Sequence, residues 1–147
     1  MPVLYVVTGP PASGKSTWID AHATARDIVI DLDRITRALT GPGAPQWNQN
    51  PLQIQVAHRA RYAAMDEAFT LRDKVDVYLI HTMPSPKALA KYKRLDARIV
   101  VVDPGREVTM QRIAAMRDTD MQRVASRWYN SRPKASPGAM PQTSRAW

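Results

Sequence analysis

The chain has 147 residues, a length that suits a single domain and suffices to bury a core without metal ions or cross-links. It contains no cysteine, which excludes disulfides and thiolate metal sites and suits a reducing compartment. Its 21 Lys and Arg stand against 13 Asp and Glu, and the resulting formal charge of +8 favours polyanions such as nucleotides or nucleic acid without selecting one. The N-terminus lacks a charged leader and no apolar run approaches the roughly 20 residues of a membrane span, so the expectation is a soluble, cytoplasmic protein with no membrane partner.

Apolar runs alternate with helical patterns along the chain, the signature of a layered α/β fold with a mostly parallel sheet. Residues 3–8 predict the first strand, followed by a loop of small residues and a helix over about 15–25. A second strand at 27–32 leads into a helix at 33–39. The stretch TGPGAPQWNQNP, 40–51, is too rich in Gly, Pro and Asn to be regular and reads as a loop near, or a flap over, a substrate region. A long helix at 52–72 follows, with Leu52, Val56, Ala60, Ala63 and Ala64 as its core stripe and His58, Arg59 and Arg61 partly free to face a cleft. The third strand is placed at 75–80, a helix at 86–94 and the fourth strand at 98–102; all four strands carry near-continuous Val, Ile and Leu, as strands covered on both faces do. Two further helices, 106–117 and 118–130, meet near Asp118, a plausible N-cap of the second. From this the domain is taken as 1–131, and 132–147 as a basic, Pro-rich tail that does not fold by itself.

Residues 9–16 read G-P-P-A-S-G-K-S and fit G-x-x-x-x-G-K-[ST], with a strand before and a helix after. The chemistry requires Gly9 and Gly14 because the backbone must bend through conformations closed to other residues to aim its N–H groups at an anion. Gly9, Pro10, Pro11, Ala12, Ser13, Gly14, Lys15, Ser16 and Thr17 thus form a candidate phosphate cradle, completed by the positive end of the following helix. Lys15 reaches the β- and γ-phosphates, the Ser16 hydroxyl is placed to ligate Mg²⁺, and Thr17 is a candidate for the α-phosphate. The expected ligands are ATP or GTP with Mg²⁺.

A helix of this length carries the chain about 16 Å from the loop and the next strand returns it by a similar distance. The segment D-L-D-R, 31–34, therefore lies at the same sheet edge, where open parallel sheets bind their ligands. Asp33 is the preferred base for an attacking hydroxyl, with helix capping as its plain structural alternative. Asp31 is either a metal-side or a structural carboxylate. Arg34 and Arg37 follow as candidate acceptor contacts, Arg37 placed to grip an acceptor phosphate, with a solvated charge as the plain alternative for either.

Residues 9–18, the D-x-D-R-x-x-R segment at 31–37 and an arginine-bearing helix after the fourth strand together resemble the small P-loop kinases related to the bacteriophage polynucleotide 5'-kinase domain, an AAA/zeta-toxin-like group. The resemblance spans roughly residues 3–130 in order of elements. It implies a three-layer α/β/α P-loop fold with a four-stranded parallel sheet in the order 2-3-1-4 and a helical lid, and, were the chain phage-encoded, a place in the host cytoplasm. It implies Asp33 as the activator of the acceptor hydroxyl, and lid arginines for the donor phosphates at Arg112 and Arg117 of MQRIAAMR.

One departure is visible: where relatives often end the third strand with an acid followed by Thr, this chain has Ile80-His81-Thr82, so Mg²⁺ leans on Ser16, the nucleotide and water, with Asp31 or Asp33. His81 either bonds to the acceptor or metal-bound water, or is a satisfied structural histidine. Asp103 caps the next helix or shapes a base pocket. Trp47 either stacks on a base or plugs the flap onto the core, and Arg59 is a candidate acceptor contact. The expected activity is transfer of the γ-phosphoryl of ATP to a hydroxyl of a nucleic acid or nucleotide. The alternatives are a kinase of a free nucleoside or other small metabolite, and a nucleotide-dependent switch without a phosphorylated acceptor.

Overall fold

A computed structural model describes residues 1–44, 50–116 and 118–131, and residues 139–142 as backbone. The elements alternate as β1 (Leu4–Thr8), α1 (Lys15–His22), β2 (Ile28–Ile30), α2 (Leu32–Ala38), α3 (Pro51–Thr70), β3 (Val77–Ile80), α4 (Pro86–Arg94), β4 (Arg98–Val102), α5 (Arg106–Met116), α6 (Thr119–Ser131) and β5 (Ala139–Gln142). Local chemistry sets several helix starts. Asn50 and Ser85 each cap a helix whose first residue is proline, where the missing N–H is no loss, and accept from the N–H groups of Leu52 at 2.8 Å and Ala88 at 3.1 Å. Asp118 caps α6 by accepting from Met121 N at 3.0 Å. Among the described residues no helix is long and apolar enough to cross a membrane.

The sheet is parallel with the order β2-β3-β1-β4-β5. Its first four strands follow the 2-3-1-4 order that the family resemblance implied, with helices on both faces. Side chains alternate between those faces as a strand requires. Leu4, Val6, Val77 and Leu79 pack with Met65, Ala68 and Phe69 of α3 and Tyr92 of α4, whereas Val7, Tyr78, Val100 and Val102 pack with Ile19 of α1 on the other side. The strand β5 is an addition: residues 139–142, assigned no regular structure from sequence, pair with β4 at the sheet edge, a position where Pro141 removes no central ladder bond.

Register brings the working ends together. Val7 lies opposite Ile80 and Ile30 opposite Leu79, so the segments after β1, β2 and β3 emerge at one edge. His81 N donates to the Val7 carbonyl at 3.0 Å and Gly9 N to the Thr82 carbonyl at 3.4 Å, which fixes the start of the loop after β1 against the end of β3.

The long helix corrects the stripe expected for it. Leu52 is 71% and Val56 56% exposed, while Ala57, Arg61, Met65, Ala68 and Phe69 are the buried residues of α3. The buried face contains an arginine in its middle, so a count of apolar residues at helical spacing selects the neighbouring face instead.

Candidate active site

The loop between β1 and α1 is shaped by backbone conformations that few residues adopt. Gly9 has φ 149° and packs so tightly that a Cβ there would collide with the Val102 carbonyl; Gly14, the N-cap of α1, has φ 101°. Ala12 enters the left-handed region at φ 60°, a strain of about 1–3 kcal/mol for a residue with a Cβ. Ser13 is fully buried, and its Oγ has no hydrogen-bond partner among the described residues. An orphaned hydroxyl under a strained, glycine-bounded loop at a helix N-terminus is the form of an anion cradle.

Lys15 folds back over this loop, and its Nζ donates to the carbonyls of Gly9 at 2.9 Å and Pro10 at 2.6 Å. Burial lowers its pKa from 10.5 to about 8, against the opposing attraction of Asp33 and then Asp31.

Beyond the lysine stands the carboxylate pair. Asp31 is 5% exposed and is the N-cap of α2, its Oδ1 accepting from Asp33 N at 3.0 Å while Ser16 Oγ donates to Oδ2 at 3.4 Å. Capping therefore belongs to Asp31, and Asp33 sits in the first turn of α2 at the mouth of the cleft. Its pKa is raised, chiefly by desolvation and then by Asp31, with Arg37 and Lys15 opposing. A raised carboxyl beside a phosphate loop holds a proton better than a free aspartate does.

The third side of the cleft is the end of β3. His81 accepts or donates through Nδ1 at 2.6 Å from the Tyr92 hydroxyl, and burial, aided by Arg61, depresses its pKa to about 4, so the ring is neutral. Arg61 of α3 is 7% exposed and donates to the Ile80 carbonyl at 3.2 Å. From the β4 side, Arg112 of α5 donates to the Ala12 carbonyl at 3.1 Å and so touches the loop. Asp103 accepts from Gly105 N at 2.9 Å and from the Tyr129 hydroxyl at 2.7 Å, tying α6 to the turn after β4. Trp128 Nε1 donates to the Thr82 carbonyl at 3.0 Å. The cleft is open to solvent and has a volume of about 620 Å³, and residues 11–17, Asp31, Asp33, Arg61 and His81 line it.

A family model described as an AAA domain matches residues 4–132, most of the chain. The chain belongs to the AAA domain family. No curated protein matches this AAA domain significantly in sequence. Among solved structures it is similar to a candidate kinase from Chloroflexus aurantiacus J-10-fl, with a TM-score of 0.65 at 19% identity over 97% of this chain and 84% of that one. At such identity the likeness concerns the fold.

The AAA domain brings Lys15, Ser16, Thr17, Asp31, Asp33 and His81 of the sequence candidates to one cleft, with Arg112 against the loop. It does not bring Arg34, which pairs with Asp20 of α1 at 2.9 Å, nor Arg59, which lines an adjoining groove that shares His58 and Tyr62 with the cleft. Arg37 is exposed on α2 and acts on Asp33 only through its charge. Arg117 and Trp47 lie outside the described residues, as do 132–138 and 143–147. His58 and Arg61, expected to be partly free to face a cleft, do line it, and so do Tyr62 and Met121, which sequence reasoning did not single out. The signal for the buried Arg61 was its own interruption of an apolar helical face.

Among the described residues no group of three metal-ligating side chains occurs. Ser16 Oγ and the Asp31 carboxylate nevertheless present adjacent hard-oxygen donors of the type Mg²⁺ takes, which fits an ion held largely by phosphate and water.

The lysine gives the AAA domain a pH signature. Phosphate oxygens favour the ammonium form, so nucleotide affinity is expected to fall as pH rises through about 8, by up to about tenfold per pH unit. A titration with a fluorescent ATP analogue measures this, and Lys15→Arg should flatten the profile. The sign for folding is opposite. With the folded pKa at about 8 and the ordinary value at 10.5, the unfolded chain holds more protons in that window, so the free domain gains stability as pH rises across it.

Proposed function

We propose that the protein is a P-loop kinase that transfers the γ-phosphoryl of ATP, or GTP, to a hydroxyl of a nucleic acid or nucleotide. The observation that carries this reading is the meeting, in one cleft, of the Lys15 loop with a second aspartate, Asp33, that is free of the capping duty taken by Asp31. The triphosphate lies along residues 9–17, with N–H groups of the loop and the start of α1 on its oxygens. Lys15 leaves the two loop carbonyls for the β- and γ-phosphates, and Arg112 adds a guanidinium from the β4 side. Mg²⁺, held by Ser16 and Asp31, would supply charge neutralisation to the phosphates. Asp33 orients the acceptor hydroxyl and takes its proton. The oxygen bonds to the γ-phosphorus as the bond from that phosphorus to the β–γ bridging oxygen breaks, and ADP departs.

Two features support a nucleic acid or nucleotide as acceptor: the formal charge of +8, and the likeness of the loop, the aspartate pair and the arginine-bearing helix to polynucleotide 5'-kinases. The deciding experiment incubates the protein with γ-labelled ATP, Mg²⁺ and a panel of 5'-hydroxyl oligonucleotides, duplex DNA, nucleosides and nucleotides. Label is expected on a 5'-hydroxyl oligonucleotide or a nucleotide, and label on neutral nucleosides alone would redirect the reading to a small-metabolite kinase. A second reading, a nucleotide-dependent switch, is favoured by the end of β3, where His81 follows Ile80 and no carboxylate stands. In that case all label appears as free phosphate.

A further inference from the structure

Arg61 is a charged residue lining the cleft that the proposed mechanism leaves unused. A guanidinium carries five N–H donors and stays charged at any working pH. Here it is 7% exposed, donates one hydrogen bond, to the Ile80 carbonyl at 3.2 Å, and has no other hydrogen bond to the described residues. No carboxylate among them pairs with it; the two ion pairs present are Arg34–Asp20 and Arg123–Asp120, both on the surface. Its other described neighbours are the Tyr62 ring, 5.9 Å away, and His81 and Tyr92, on which its charge acts; none of them is a carboxylate. Withdrawing a cation from water without a counter-charge is strongly unfavourable, and proteins retain such a group where something else completes it.

Position says what completes it. The sheet order sets β3 between β1 and β2, so a guanidinium fastened to the last carbonyl of β3 stands between the phosphate loop and the Asp31–Asp33 segment. The donor phosphates already have Lys15 and Arg112, both bonded to the loop itself. Arg61 touches neither the loop nor an acid. Beside it, His81 is neutral, with Nδ1 engaged by Tyr92, and so adds a hydrogen-bonding nitrogen without a second charge.

We propose that Arg61 is the anion-binding residue of the acceptor subsite, so that the acceptor is a hydroxyl compound bearing a phosphate or carboxylate group close to the reacting oxygen. This rests on the kinase reading above and narrows it, because a neutral nucleoside or sugar alcohol would leave the guanidinium unpaired. Arg61 thereby sets specificity.

The test begins with the full chain loaded with a non-hydrolysable ATP analogue and Mg²⁺, so that the loop is filled. Inorganic phosphate, and separately acetate, is then titrated by calorimetry into wild type and Arg61→Met. Loaded wild type is expected to bind the anion, and Arg61→Met to bind it about 10- to 100-fold more weakly. Without added anion, Arg61→Met should melt no lower than wild type, since it removes an unpaired buried charge; a merely structural arginine would instead lower the melting temperature and leave anion binding intact. Arg61→Gln serves the same comparison where Arg61→Met does not fold. Paired acceptors separate the two sources of charge: a nucleoside against its monophosphates, and a sugar alcohol against its sugar acid. Wild type should prefer the charged member of one pair, and Arg61→Met should erase that preference. Equal anion affinity in both proteins, no anion bound by loaded wild type, or equal use of charged and neutral acceptors overturns the proposal. Failure of the analogue itself to bind is a different result, which removes the kinase reading together with everything built on it.

Discussion

Lys15→Ala is expected to lower phosphoryl transfer by about 10³-fold or more, the scale on which a positioned cation acts on a transferring phosphoryl group. The expectation follows from where the ammonium rests. It is held 2.9 and 2.6 Å from two carbonyls of the loop that would receive the phosphates, so a short swing takes it from backbone oxygen to phosphate oxygen. Nucleotide affinity should fall as well, by less than the rate, because the loop N–H groups and the helix terminus remain. Stability should change little: the variant loses two hydrogen bonds but also relieves a cation whose burial lowers its pKa to about 8. Rapid-quench transfer assays, equilibrium binding and thermal melting separate the three quantities. Transfer at the wild-type rate would place the phosphoryl group somewhere other than this loop.

Asp33→Asn should cut kcat by about 10²–10⁴, the usual worth of a positioned general base, with little change in the KM for ATP. The exchange preserves shape and removes only the ability to take a proton. It should also spare the fold, because the cap of α2 is Asp31, whose Oδ1 receives the backbone N–H of residue 33 and not its side chain. Unchanged kcat with a nucleic acid or nucleotide acceptor would remove Asp33 from the chemistry and shift attention to Asp31 or water.

The fold was largely readable from sequence because its strands are buried on both faces. The run LYVVT can hardly be anything but a central strand, and the G-x-x-x-x-G-K-S loop after it anchors everything at that edge. Asp31 and Asp33 were located by counting rises along one helix and one strand. What sequence could not supply was long-range pairing. Arg34 looked free to meet an acceptor until α1 brought Asp20 to it. On α3 helical spacing selects Leu52, Val56, Ala60, Ala63 and Ala64, but the buried face runs through Arg61, which lines the cleft and which a count of apolar residues passes over. The residues of β5 contain proline and lie in a basic stretch, so nothing local marks them as a strand; their pairing is imposed by the open edge of β4.

The Thr82 carbonyl receives Gly9 N at 3.4 Å and Trp128 Nε1 at 3.0 Å. A single backbone oxygen thus couples the first bend of the nucleotide loop to the last helix of the fold, with both of its lone pairs engaged. Because it belongs to the main chain, side-chain replacement at position 82 leaves the junction in place, whereas loss of the indole at 128 breaks it. The threonine side chain, which lines the cleft, takes no part in this junction, whereas the tryptophan acts as a keystone between α6 and the start of the loop.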